Sequence, residues 1–323
     1  MHYSIRKLFV AIVLLLGNLV MVTAVTAASA DEQFVGTFRL VGFEIKDGNG
    51  NWMPDENRPG NGYITYSDTG YMGVQITPSV RTPFANNQPT AEEARQALQG
   101  YIAYFGPFTV HEDEGYVVHH RVGAPNPGGA GDTLRFFDFE GNRLILTPPS
   151  AGGNKADAVL HVVWERMPDV ELSAEAQKFV GVRQLLYTER YTERNGAIMA
   201  SGQHNESDAG SYIFYTPTGH MMVHLMDRAG RTPYAGNAPT PAEALAAYRS
   251  YYAYFGRFTV YETASPQYLV HNLEGILRPD PPADTERLYQ LDGDILRLGP
   301  RPQRSNGEAT GTHLYWQELP SRR

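Results

Sequence analysis

Arg81-Thr-Pro-Phe-Ala-Asn-Asn-Gln-Pro-Thr-Ala-Glu-Glu-Ala94 returns further along the chain as Arg231-Thr-Pro-Tyr-Ala-Gly-Asn-Ala-Pro-Thr-Pro-Ala-Glu-Ala244. Tyr101-Ile-Ala-Tyr-Phe-Gly-Pro-Phe-Thr-Val-His-Glu112 returns as Tyr251-Tyr-Ala-Tyr-Phe-Gly-Arg-Phe-Thr-Val-Tyr-Glu262. Both pairs share an offset of 150, with 9 of 14 and 9 of 12 positions identical, so the chain carries an internal duplication. The ends agree: Phe34-Val-Gly36 matches Phe179-Val-Gly181, Gly141-Asn-Arg-Leu144 matches Gly293-Asp-Ile-Leu296, and His161-Val-Val-Trp164 matches His313-Leu-Tyr-Trp316. Offsets drift only between 145 and 152, so the copies differ by small loop changes. A chain of 323 residues suits two domains at the usual ~100–200 residues each. The expected division is a leader over 1–30, a first domain over 31–168, a linker over 169–176 and a second domain over 177–320.

Within a copy the pattern is that of short strands. Residues 63–66, a turn at Ser67 to Gly70 and residues 71–76 form a β-hairpin pattern, repeated over 212–225 around Pro217 and Gly219. Strands are expected over 108–112, 116–122, 134–139, 144–147 and 160–166. One helix interrupts them: Thr90 with Glu93, and Thr240 with Glu243 after Pro241, are capping boxes. They predict helices over 91–104 and 241–254. About eight sequential antiparallel strands with apolar residues on alternate positions are enough to close a barrel around one small ligand. The fold class expected is mainly β, two tandem antiparallel barrels with one inserted helix each.

Composition agrees. The chain holds 32 Gly, 22 Pro, 20 Tyr and 14 Phe, the currency of turns and strands, with 42% hydrophobic and 19% charged residues. It has no cysteine, which excludes disulfides and thiolate metal sites. Arg6 and Lys7 precede a mostly apolar stretch that ends in Ala28-Ser29-Ala30, the form of a cleavable signal peptide with Asp31 as the mature N-terminus. The alternative is an uncleaved anchor, because the stretch approaches the ~20 residues that span a bilayer. Losing Arg6 and Lys7 takes the formal charge from −8 to −10. Nucleic acid is therefore not an expected partner, nor is stable membrane insertion after cleavage, and the expected location is periplasmic or secreted.

The run Phe34-Val-Gly36 with Phe38 two residues on, Gly62-Tyr-Ile-Thr-Tyr-Ser-Asp-Thr-Gly-Tyr-Met72, Tyr101 to Val110, Val117-Val-His119 and Arg135-Phe-Phe137 resemble the small bacterial and fungal lipocalin-like domain family, a calycin-type barrel. The match spans nearly all of the first copy and most of the second. It implies a cupped barrel whose cavity takes a small, largely apolar molecule, and brings no settled chemistry. The early Gly-x-Trp of lipocalins stands here as Gly36-Thr-Phe38 and Gly181-Val-Arg183.

Strand alternation selects the candidate residues. Arg135 shares a face with Phe137 and Phe139, and Arg287 with Tyr289 and Leu291, so each copy sets a guanidinium on an apolar face. Such an arginine either anchors an acidic ligand through its planar fork of donors or braces the fold by snorkelling or ion pairing. His119 and His271 form the next repeated pair. An imidazole in an apolar cavity can serve as general acid or base, or as a satisfied structural group. Tyr101 with Tyr104, and Tyr251 with Tyr254, fall on one face of the expected helices, as ligand-facing phenols or as a staple over the barrel end. His161 and His313 alternate with inward residues and are placed outside. Adjacent His119 and His120 point to opposite faces and no third ligand stands at a characteristic spacing, so no metal is expected. No phosphate loop, dinucleotide fingerprint or nucleophile elbow is present, and no cofactor is expected. Two functions remain: a carrier of a small hydrophobic or amphipathic molecule, acids included, or an isomerase, cyclase or hydratase with His119, Arg135 and a tyrosine as acid, anchor and orienter. An interaction module with empty barrels is the third. If each copy folds alone, cutting 169–176 leaves two soluble fragments.

Overall fold

The computed structural model describes residues 29–194, 197–205, 210–227 and 231–322. The leader read at 1–30 lies outside the described residues except for Ser29 and Ala30. The first copy runs α1 (Ala30–Phe34), β1 (Gly36–Lys46), β2 (Trp52–Pro54), β3 (Gly60–Tyr66), β4 (Tyr71–Pro78), α2 (Ala91–Gln99), β5 (Ile102–His111), β6 (Tyr116–Arg121), β7 (Gly131–Glu140), β8 (Arg143–Thr147) and β9 (Leu160–Arg166). The second runs α3 (Ala174–Gln177), β10 (Gly181–Arg194), β11 (Ala197–Asn205), β12 (Tyr212–Tyr215), β13 (His220–Met226), α4 (Pro241–Arg249), β14 (Tyr251–Tyr261), β15 (Tyr268–Ile276), β16 (Thr285–Asp292), β17 (Ile295–Gly299), β18 (Gln303–Ser305) and β19 (Glu308–Glu318).

Each copy is a closed antiparallel barrel of eight strands. In the first, β1-β3-β4-β5-β6-β7-β8-β9 pair in turn and β9 returns to β1, while β2 extends the far end of β1. In the second, β10-β12-β13-β14-β15-β16-β17-β19 close through β10 and β19, with β11 and β18 as added ribbons. Closure leaves the eight strands of a barrel without a free edge.

Two expectations need correcting. The helices end at Gln99 and Arg249, so Tyr101 and Tyr251 sit at the entrance to the following strands and Tyr104 and Tyr254 lie within them. Gly100 caps α2, and beyond it the aromatic run Tyr-Ile-Ala-Tyr-Phe favours strand over helix. Strand period then sends residues 101 and 104 to opposite faces instead of one. The linker is also shorter than expected: Ser173 caps α3 as Ser29 caps α1, and Ala176 enters the second core.

The helices α1 and α3 plug one end of their barrels. Phe34 packs against Tyr66, Phe137 and Phe139 at ring-centroid distances of 4.9, 5.0 and 5.2 Å, and Phe179 against Tyr215 and Tyr289 at 5.5 and 4.9 Å. Each plug is held by one arginine, from a different strand in each copy. Arg166 of β9 donates to the carbonyls of Gln33 and Val35 and lies 4.4 Å over the ring of its cross-strand partner Phe38. Arg183 of β10, in the place of Phe38, is buried, donates to the carbonyls of Lys178 and Phe179, and pairs with its own cross-strand partner Glu318 at 2.7 Å. That exchange accounts for Gly181-Val-Arg183 in the second copy.

The copies share a third core. The outward faces of β3, β4 and β5 meet those of β12, β13 and β14, burying Tyr63, Ala103 and Phe105 with Tyr212, Phe214, Met222 and Phe255, and α2 meets α4 through Leu98, Ala244 and Ala247. β3, β4, β12 and β13 are consequently buried on both faces, and their burial runs nearly continuously instead of alternating. Gly73 permits the contact: a Cβ there would lie 2.8 Å from the Met222 sulfur and 3.1 Å from the Phe214 ring. With a shared core of this kind the copies are one body, and the independent fragments expected from sequence do not follow.

Candidate functional site

Opposite the plug each barrel is open. A cavity of about 610 Å³ at the mouth of the first is lined by Phe43, Arg58, Gly60, Ile76 and Ile102, and one of about 210 Å³ at the second by Leu185, Leu225, Tyr252 and Leu314. Deeper in the first barrel, the inward-facing Tyr104, Arg135, Phe137, Leu160 and Val162 are each only partly buried. In the second, Arg287, Tyr289, Leu291 and Leu314 are likewise partly buried. Solvent therefore reaches past the mouth into an apolar cup.

At mid-height the two cups carry the same polar group. His119 on β6 is fully buried, its Nε2 2.8 Å from the Tyr66 hydroxyl and its Nδ1 3.1 Å from the Tyr104 hydroxyl. His271 on β15 repeats this with Tyr215 at 2.8 Å and Tyr254 at 2.9 Å. Loss of hydration pushes both imidazoles down to about 3, helped by the nearby cations Arg135 and Arg287, so both rings are neutral at physiological pH. Burial pushes the Tyr66, Tyr104 and Tyr215 hydroxyls above the usual phenol range and Tyr254 up to about 12, which keeps all four protonated. A neutral ring with both nitrogens engaged by phenols orients its partners and leaves no nitrogen open to a substrate.

Arg135 donates to the backbone carbonyl of its neighbour Leu134 at 2.8 Å, and Arg287 to that of Glu286 at 2.9 Å. Phe137 and Tyr289 line the plugged end; Tyr289 also donates to Glu175 of α3 at 3.2 Å. The structure thus gathers His119, Tyr104, Arg135 and Phe137 into one cup, and His271, Tyr254, Arg287 and Tyr289 into the other.

Tyr101 and Tyr251 are elsewhere. They point into the seam, where the Tyr101 hydroxyl donates to Gln75 Oε1 at 2.6 Å, Gln75 Nε2 reaches the Val223 carbonyl at 2.9 Å and His224 at 3.3 Å, and His224 meets the Tyr251 hydroxyl at 2.8 Å. They join the two copies and face no cup, because strand alternation turns them away from Tyr104 and Tyr254. His161 and His313 lie on the outer faces, stacked on Trp52 at 3.4 Å and Tyr191 at 4.3 Å. Sequence reasoning missed Tyr66 and Tyr215, the second partners of the histidines. Their signal was available in the repeat, since both close the matching strands β3 and β12.

A family model described as a lipocalin-like domain matches residues 35–167 and again residues 189–319. The chain belongs to the lipocalin-like domain family. Such barrels typically bind small hydrophobic molecules. Among solved structures, a protein of unknown function from the DUF3598 family of Nostoc punctiforme is similar at 10% identity, with 91% of this chain and 100% of that chain covered and a TM-score of 0.22. No curated protein matches the chain. Among the described residues of this lipocalin-like pair, no helix is long and apolar enough to cross a membrane, and no group of three His, Cys, Asp or Glu side chains is placed to hold a metal ion.

Proposed function

We propose that the chain is an exported carrier that holds a small, largely apolar molecule in each of its two barrels. The observation that supports this most directly is the pair of cups, each plugged by a phenylalanine at one end, open at the other, and lined by apolar side chains that solvent still reaches. Apolar surface left wet in the free protein is the surface a ligand covers on binding. Export rests on the basic, apolar and small-residue sequence of residues 6–30. Cleavage before Asp31 removes Ser29, the N-cap of α1, and leaves Phe34 as the anchor of the plug.

The test is titration of the full mature chain with N-phenyl-1-naphthylamine, a neutral apolar fluorophore. Enhanced emission saturating near two per chain is expected, and Ile102→Trp at the first mouth should remove one of the two. A chain that takes up no probe overturns the carrier reading. Intact mass of the exported protein checks the leader: mass beginning at Asp31 supports it, and retention of residues 1–30 overturns it.

A further inference from the structure

We propose that the head group each cup receives is a carboxylate, bound by Arg135 and Tyr104 in the first barrel and by Arg287 and Tyr254 in the second. This rests on the barrels being ligand cups and adds the chemistry of what enters them.

A neutral imidazole offers one N–H and one lone pair. Tyr66 is wholly buried and His119 Nε2 is its hydrogen-bond partner among the described residues, so its hydroxyl must donate there or leave its proton unmatched in the core. Nε2 is therefore the acceptor, the ring proton sits on Nδ1, and Nδ1 donates to the oxygen of Tyr104. The Tyr104 oxygen has then accepted a bond while its own proton is uncommitted, and its partly buried side chain lies in the cup. Tyr215, His271 and Tyr254 repeat the chain of donations in the same order, with Tyr254 buried where Tyr104 is partly exposed. Each histidine is in this sense a positioning residue: it fixes which tyrosine presents a proton.

The guanidiniums add to this. Among the described residues neither Arg135 nor Arg287 has a carboxylate within ion-pairing distance: Arg135 donates to the Leu134 backbone carbonyl, and Arg287 to that of Glu286 and to the Tyr254 hydroxyl oxygen. Each cup therefore presents a phenol O–H and a cation's remaining N–H groups, with apolar walls around them: Phe137, Leu160 and Val162 in one barrel, Leu291 and Leu314 in the other. Donors without acceptors call for an acceptor, and one fixed cation on a planar fork calls for a single negative charge spread over two oxygens. The walls call for an apolar tail. A monocarboxylic acid with a hydrocarbon tail meets all three.

The experiment compares dodecanoic acid with methyl dodecanoate, which share a tail and differ in the head, by displacement of N-phenyl-1-naphthylamine from the full mature chain at pH 7.5. The acid is expected to compete at least ten-fold more tightly than the ester. Arg135→Met with Arg287→Met should weaken the acid by ten-fold or more, leave the ester unchanged, and so erase the difference. Tyr104→Phe with Tyr254→Phe should narrow it in the same direction. If acid and ester compete equally with the unmodified chain, the head-group inference is overturned while the carrier reading stands. If the fluorophore itself does not bind, it is the carrier reading that fails. The comparison on the unmodified chain decides the matter even if a variant does not fold.

Discussion

Arg81 and Arg231 are reciprocal clamps across the seam. Arg81 of the first copy donates to the backbone carbonyls of Ile276, Leu277 and Arg278 in the second, and Arg231 of the second donates to those of Ala124 and Pro125 in the first, at 2.6 and 2.8 Å. Each guanidinium also lies over a seam tyrosine, Tyr101 at 5.6 Å and Tyr251 at 5.8 Å. Both open the Arg-Thr-Pro motif that the two copies share. The copies thus share the means of holding each other.

Truncating either clamp should destabilise the whole chain. Arg81→Ala and Arg231→Ala each strip several backbone carbonyls of their donor, and a cost of about 1–3 kcal/mol apiece is expected. Urea unfolding checks this through the midpoint at constant slope. A loss confined to one barrel, seen as two separate transitions, would count against a single cooperative body.

Cutting the chain between Val170 and Ser173 should not release two independent domains. The halves are expected to stay associated, or to recombine one-to-one when mixed, because separation exposes Tyr63, Phe105, Phe214 and Phe255. Size-exclusion chromatography with multi-angle scattering reads the result. Two soluble monomeric halves would contradict the shared core.

Acid should unfold the protein early. His119, His224 and His271 sit at about 3 in the folded chain, against 6.5 when exposed. Between these values the unfolded chain binds protons that the folded chain refuses, so their contribution to stability is full above about pH 6.5 and is lost as pH falls toward 3. Each group contributes a slope of up to about 1.4 kcal/mol per pH unit across that window. Chemical denaturation from pH 7 to pH 4 should show this loss, and His224→Gln should reduce the slope by up to about 1.4 kcal/mol per pH unit. An unchanged midpoint over that range would mean that the three rings are not held neutral by the fold.

Tyr66→Phe and Tyr104→Phe should separate in effect. Removing the Tyr66 hydroxyl leaves His119 Nε2 without its donor in a dry core, for a stability loss of about 1–3 kcal/mol. Tyr104 is only partly buried and water can take its place, so its removal should cost less stability. Equal losses of melting temperature would put both phenols in the same dry environment and count against an open cup.

Much of this architecture is legible in the sequence, for local reasons. The repeat at offset 150 announces two domains, Thr90 with Glu93 starts a helix, and alternation in Arg135-Phe-Phe-Asp-Phe139 sets the arginine on an apolar face; each depends on residues a few positions apart. The helix ends are harder to read, because Tyr101 and Tyr104 stand at a helical spacing although their aromatic run favours strand, and Gly100 is the stop signal between the two. The partnership of His119 with Tyr66 spans 53 positions and exists only once the barrel closes. The seam is further removed still. Arg81 meets carbonyls nearly two hundred residues away, and from sequence its conservation between copies says that the position matters without saying what it touches.

Native mass spectrometry of the full chain purified from its own host tests the carrier account most directly. The account predicts adducts of one and two small molecules per chain, which dissociate on activation and are identified as carboxylic acids with apolar tails. A spectrum holding only the bare chain, from protein that also fails to take up N-phenyl-1-naphthylamine, would contradict it.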